Sequence, residues 1–173
     1  IISIGAIKFD PLGAPGEFPM VNEALPIFFC NVDLGSSMER GAAVDSGTIM
    51  WWLQQSDEAR KTLTAEPKPL DEALSMFHAW FGTESLPTWG NGSDFDNAVL
   101  KAAFLMTGRG DAPWKFRDAK CYRTMRTELE PLFPDVVYEP PTMAHNALAD
   151  AIAQATHLQK LYNRLQSSLP KEK

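Results

Sequence analysis

The stretch Trp89-Gly90-Asn91-Gly92-Ser93-Asp94-Phe95-Asp96 constrains the fold more than any other part of the chain. Residues 86–89 read as a short buried strand, and Gly90-Asn91-Gly92-Ser93 as a turn. A helix over 94–106 follows, with Phe95, Val99, Ala102, Ala103 and Met106 on related faces. A strand that turns straight into a helix is a corner of an α/β sheet, and ligands gather at such corners. Asp96 stands at that corner. Asp94 and Asp96 are two apart on a helix and point in different directions, so at most one of them faces a given site. The same pair also has a structural reading: Asp94 caps the helix and Asp96 offsets its dipole.

The rest of the chain fits an α/β order. Residues 1–9 are β-rich and end at Asp10-Pro11-Leu12-Gly13. Residues 25–32 read as a second strand beside the first. Cap-type residues at 45–48 open a helix through Trp51, Trp52 and Leu53, and a short helix covers 57–63. The stripe Ala73, Leu74, Phe77, Trp80 and Phe81 predicts a helix over 71–81. A strand is expected at 114–116, a helix over 119–129, a proline-rich loop over 131–141, and the longest helix from Asn146 to about residue 166. These elements predict a mixed sheet with helices on its faces.

The 173 residues suffice for one domain with a core, and the apolar fraction of 45% is ordinary for a globular protein. No apolar run is long enough to span a membrane, and the opening residues read as a strand rather than a signal peptide. Cys30 and Cys121 make no disulfide framework and have no zinc-ligand spacing, which fits a reducing cytoplasm. The net charge of −6 argues against a protein that merely coats nucleic acid. It is compatible with a nuclease, whose clustered carboxylates hold cations that neutralise phosphates.

A second pattern, His145-Asn146-Ala147-Leu148-Ala149-Asp150, opens the last helix. Asn146 is a plausible N-cap, with Asp150 in the first turn and His145 just before it. Capping and dipole compensation would explain this pattern alone. Together the two patterns offer two carboxylates and a histidine at helix starts. A two-metal phosphodiesterase needs carboxylates converging on cations about 4 Å apart, and a base for the attacking water, for which histidine is suited.

Asn91-Gly92-Ser93-Asp94-Phe95-Asp96 resembles the second motif of the DEDDh 3′–5′ exonucleases, Asn-x-x-x-Phe-Asp after a strand. His145 and Asp150 match that family's third motif, and Ile1-Ile2-Ser3-Ile4-Gly5-Ala6 resembles its second strand. The resemblance spans essentially the whole chain and is nearest to the small exoribonuclease and phage exonuclease A branch. Softer marks of that branch are residues 47–56 and the pair Arg123-Thr124. The resemblance implies a single RNase H-like α/β domain over 1–173. It implies Asp96 and Asp150 as ligands of two divalent ions, Mg²⁺ or Mn²⁺, and His145 as general base. Asn91 and Phe95 would shape the pocket for the terminal nucleotide. The partner would be the 3′ end of single-stranded RNA or DNA, and the product a nucleoside 5′-monophosphate. Dimers occur among such relatives, and the Trp-rich helix offers a surface for one.

The family's first motif, Asp-x-Glu, does not occur in this sequence. The expectation is therefore an N-terminally incomplete domain whose first strand is missing, with weak metal binding as it stands. The competing readings are an RNase H-like module without activity that binds nucleic acid or a protein, and another RNase H-like nuclease. Trp51 and Trp52 are adjacent, so one is expected in the core and the other exposed, for base stacking or packing. His78 and His157 read as structural. Asp118 follows a strand end and could lie near the site. Lys115, Arg117, Lys120, Arg123 and Arg126 form the clearest basic cluster, either a phosphate-binding group or a solvated face, with Arg109 a weaker candidate.

Overall fold

The computed structural model describes residues 1–20, 26–142 and 145–170. Strand β1 (Ser3–Ile7) pairs antiparallel with β2 (Ile27–Asn31), with Gly5 opposite Phe29. The pairing extends through Val32 N–H to the Ile2 carbonyl (2.9 Å) and Lys8 N–H to the Pro26 carbonyl (2.7 Å). Phe28 and Cys30 are buried while Phe29 between them is exposed. The expected start at Leu25 lies outside the described residues. The strand proper begins at Ile27, after Pro26, whose ring supplies no N–H.

A helix not expected from the sequence, α1 (Leu34–Glu39), follows at once, capped by Asp33, which accepts from Ser36 N–H at 2.8 Å. It is too short to show a 3.6-residue stripe. Helix α2 (Ser46–Leu53) is capped by Asp45, and α3 (Asp57–Leu63) by Ser56. Helix α4 (Leu70–Phe81) starts one residue earlier than expected and buries Leu70 together with Ala73, Leu74, Phe77 and Phe81 of the expected stripe, while Trp80 is only partly buried. These pack with Ile4, Phe28 and Val32 and with Phe104 and Trp114 into the main core. Phe28 meets Phe77 edge-on at 5.4 Å between ring centroids.

Strand β3 (Thr88–Gly90) leads into α5 (Asp96–Met106), and β4 (Ala119–Cys121) pairs parallel with β3. Helices α6 (Tyr122–Leu129) and α7 (Ala147–Ser168) complete the order. The strand expected at 114–116 is not formed. Trp114 is instead buried against Phe77 and Phe81, and Phe116–Asp118 make a 3-10 turn. The strand comes from the first residues of the helix expected over 119–129. That helix starts only at Tyr122 because Cys121, in an extended conformation, caps it through its sulfur.

The structure is thus mixed α/β, with seven α-helices among the described residues. The single mixed sheet is replaced there by two two-stranded sheets, one antiparallel and one parallel. In the β1–β2 ladder the even-numbered residues of β1 face β2. The N–H and C=O groups of Ser3, Gly5 and Ile7 therefore point to the opposite edge. No described helix is long and apolar enough to cross a membrane.

Helix α7 lies against β1. A Cβ built on Gly5 would stand 2.2 Å from the carbonyl carbon of Ala147 and 2.3 Å from the Leu148 nitrogen. Only glycine admits that approach. Further along α7, the fully buried Gln159 ties down the loop that follows β1. It accepts from Gly16 N–H at 3.0 Å and donates to the carbonyls of Asp10 (3.1 Å) and Glu17 (3.2 Å). His157 is buried as well and shares a 2.9 Å hydrogen bond with the Tyr122 hydroxyl, the structural role expected for it. Gly5→Val should force the start of α7 off β1 and cost about 1–3 kcal/mol of stability, as overpacking does. A lowered midpoint in urea or thermal unfolding checks this.

Candidate active site

The start of α7 is built by Asn146. Its Oδ1 accepts from Leu148 N–H at 3.1 Å and Ala149 N–H at 3.0 Å, and its carbonyl takes Asp150 N–H at 2.9 Å. The cap fixes Asp150 in the first turn, half-buried. Burial pushes the Asp150 carboxyl up from its usual range, while His145 beside it pulls the other way. His145 itself takes a left-handed backbone, φ +65, a conformation uncommon outside glycine.

Helix α2 supplies the wall against His145. The Trp51 indole meets the imidazole edge-on at 4.7 Å between centroids, and Trp52 lies at 6.3 Å. The two indoles are themselves edge-on at 5.0 Å. Neither tryptophan enters the core, contrary to the expectation of one inside and one outside: Trp51 is 41% exposed and Trp52 intermediate. α2 buries no residue and turns both rings towards the loop carrying His145. Tyr138 is a neighbour that the sequence did not single out. Burial, and then the negative charge of Asp150, push its phenol up, and Arg126 lies over its ring at 5.0 Å. No local motif marks it, because the proline-rich loop brings it there.

The corner after β3 forms a second group. Asp96 opens α5, and its Oδ2 accepts the Asn91 N–H at 2.5 Å. A Cβ on Gly90 would lie 3.0 Å from the Asp96 Cβ, so Gly90 lets the carboxylate fold over the strand end. Arg123 Nη2 donates to the Asn91 carbonyl at 3.0 Å, and Asn97 Nδ2 to the Thr88 carbonyl at 2.9 Å. Asp94 does not cap the helix. The cap position is Phe95, which makes no side-chain cap bond, and Asp94 stays in the preceding turn because α5 begins two residues later than expected. The Phe95 ring is 63% exposed.

His145 and Asp150 are therefore brought together, and Asp96, Asn91 and Phe95 share one loop. Among the described residues no three His, Cys, Asp or Glu side chains stand close enough to hold a metal ion. The two carboxylates do not by themselves fit a pair of hard dications, which take six or more oxygens each. Asp118 does not join either group and accepts instead from Ser85 at 2.6 Å. Arg126 leaves the expected basic cluster by pairing with Glu130 at 2.9 Å, and Arg109 lies 4.0 Å from Asp71.

Residues 1–162 match the family described as the 3'-5' exoribonuclease Rv2179c-like domain. The chain belongs to this family. As an Rv2179c-like domain it is a nuclease by family, with RNA as substrate class, and both residue groups lie within the matched region. No curated protein and no solved structure matches the chain.

In this Rv2179c-like domain the raised carboxyl of Asp150 has a consequence for stability. A folded-state value above the unfolded one means that the native state holds the proton more tightly. That contribution is present below the ordinary carboxylate value and is lost as pH rises through the folded value. Above it, the ionised Asp150 costs stability. Asp150→Asn should therefore be at least as stable as the wild type at neutral pH. The difference should vanish as the pH falls below the carboxylate range, as thermal unfolding across pH would register.

Proposed function

We propose that this chain is a metal-dependent 3′–5′ exoribonuclease with His145 as its general base and Asp96 and Asp150 as carboxylate ligands of two divalent ions, Mg²⁺ or Mn²⁺. The observation that carries the reading is the placing of His145 just before, and Asp150 within, the capped first turn of α7, in a chain of an exoribonuclease family. Bound ions would supply charge neutralisation and a polarised water. The remaining ligands would come from groups other than these two carboxylates. Among the described residues no strand pairs with the edge of β1 at Ser3, Gly5 and Ile7.

The chain's own groups suit the rest of the chemistry. His145, exposed and braced by Trp51, takes a proton from the attacking water. The new bond joins that water oxygen to phosphorus. The bond to the 3′ oxygen of the penultimate nucleotide breaks, and that oxygen leaves as a hydroxyl once protonated. The exposed Phe95 ring and Asn91 flank the terminal nucleotide at the β3 corner, and Trp51 offers a second stacking face. The unpaired Cys30 and Cys121 suit a reducing compartment such as the cytoplasm. A homodimer would use α2, where Ile49, Met50 and Leu53 stand exposed.

The test uses the protein expressed from its complete gene, with 5′-labelled single-stranded RNA and DNA, Mn²⁺ or a chelator. RNA should shorten stepwise from its 3′ end, faster than DNA. The ladder should vanish with chelator and fall by about 100-fold or more in His145→Ala, the range set by loss of a general base. RNA left intact by folded protein with metal present contradicts the proposal.

A further inference from the structure

The cations of this acidic chain are mostly neutralised in place. Arg40, Arg60, Lys68, Lys101, Arg109, Arg126, Lys160 and Arg164 each have a carboxylate within ion-pair distance. Among the described residues, those without one are Lys8, Lys61, Lys115, Arg117, Lys120 and Arg123. Lys8 lies over the Trp80 ring and Lys61 is in the last turn of α3, beside Arg60. The other four fall within residues 115–123, and all are exposed. In a chain of net charge −6, that concentration of unpartnered positive charge is the clearest electropositive feature.

The same segment holds an aromatic side chain facing water. Phe116 is 79% exposed, the most exposed large apolar side chain described, and the Arg117 guanidinium lies 5.6 Å from its ring centre. An apolar ring at that exposure contributes nothing to the core. A guanidinium beside a free ring face is the pairing that holds a nucleic-acid base and its phosphate together.

Geometry ties the segment to the β3 corner. Among the described residues β4 pairs on one side only, with β3, in the register Trp89–Lys120 and Gly90–Cys121. Its three residues span about 10 Å at roughly 3.3 Å each. Phe116 and Arg117 precede its start. Past its end, Arg123 reaches the Asn91 carbonyl in the loop that leads to Asp96, and the Asn91 N–H donates to Asp96. The segment is therefore an exposed edge, with a free ring at one end and a cation anchored at the candidate site at the other.

We propose that residues 115–123 form a track for single-stranded RNA, along which the part of the substrate 5′ to the cleaved nucleotide is held. Lys115, Arg117, Lys120 and Arg123 bind phosphates, and Phe116 stacks on a base. The proposal rests on the exoribonuclease reading and adds to it where the body of the substrate lies. It implies that affinity depends on chain length, because a dinucleotide cannot reach Phe116.

The test measures binding of a fluorescently labelled single-stranded RNA in chelator, where nothing is cleaved, across a salt series. The proteins are the wild type, the triple variant Lys115→Ala/Arg117→Ala/Lys120→Ala, Phe116→Ala, and Lys61→Ala as a control for removal of an unpaired charge elsewhere. The triple variant should lower the slope of log affinity against log salt by about 2, since each phosphate that a cation neutralises on a single strand adds roughly 0.7 to it. Phe116→Ala should bind about tenfold more weakly with the slope kept, and Lys61→Ala should match the wild type. With metal restored, the triple variant's deficit in rate should shrink as the RNA is shortened towards a dinucleotide. Equal affinities and slopes in wild type and triple variant overturn the track. A protein that binds in this way but never shortens RNA overturns the exoribonuclease reading instead.

Discussion

The first turn of α7 lies against β1 so closely that no side chain fits at Gly5. Most of what matters in the structure depends on that approach. It seats the Asn146 cap over the strand, and the cap fixes Asp150 and leaves His145 at a left-handed bend beside it. Helix α7 then carries the consequences down its length. Gln159 holds the loop after β1, and Leu161 packs with Leu129 and Phe133 in a second small core against α6. A glycine that reads as a small residue in a strand is thus the hinge between sheet and site.

The two candidate residue groups are made by similar means. In each, a side-chain oxygen satisfies backbone N–H groups at a strand-to-helix or loop-to-helix junction, and a glycine removes the Cβ that would block the approach. Gly90 does for Asp96 what Gly5 does for the start of α7. The groups differ in electrostatics. Asp150 is half-buried and burial pushes its carboxyl up, against the charge of His145, while its own charge raises Tyr138. Asp96 is exposed and folded onto its own loop, next to Arg123. Of the cations without an ion pair among the described residues, Arg123 stands beside the second group, where it donates to the Asn91 carbonyl.

Local patterns carried much of this. The stripe of α4, the cap of α7, and the positions of Asp96, His145 and Asp150 were all readable, because each depends on residues within a turn or two of one another. The misplaced elements depend on partners far away. β4 forms at 119–121 because β3 pairs with it and because Cys121 caps the next helix, which no window of periodicity reveals. Helix α1 was too short for a stripe, and Trp114 went into the core rather than into a strand. The Trp51–Trp52 pair shows the same limit: adjacency predicts opposite faces on a helix that packs, yet α2 buries nothing and presents both rings to His145. Tyr138 had no motif to mark it.

The central claim, hydrolysis at the 3′ end by an activated water, is tested most directly by digesting single-stranded RNA in ¹⁸O-labelled water with Mn²⁺ and weighing the products. The account predicts nucleoside 5′-monophosphates released one at a time, each carrying one heavy oxygen on its phosphate. Products ending in 2′,3′-cyclic or 3′ phosphate, or monophosphates without the label, would contradict it.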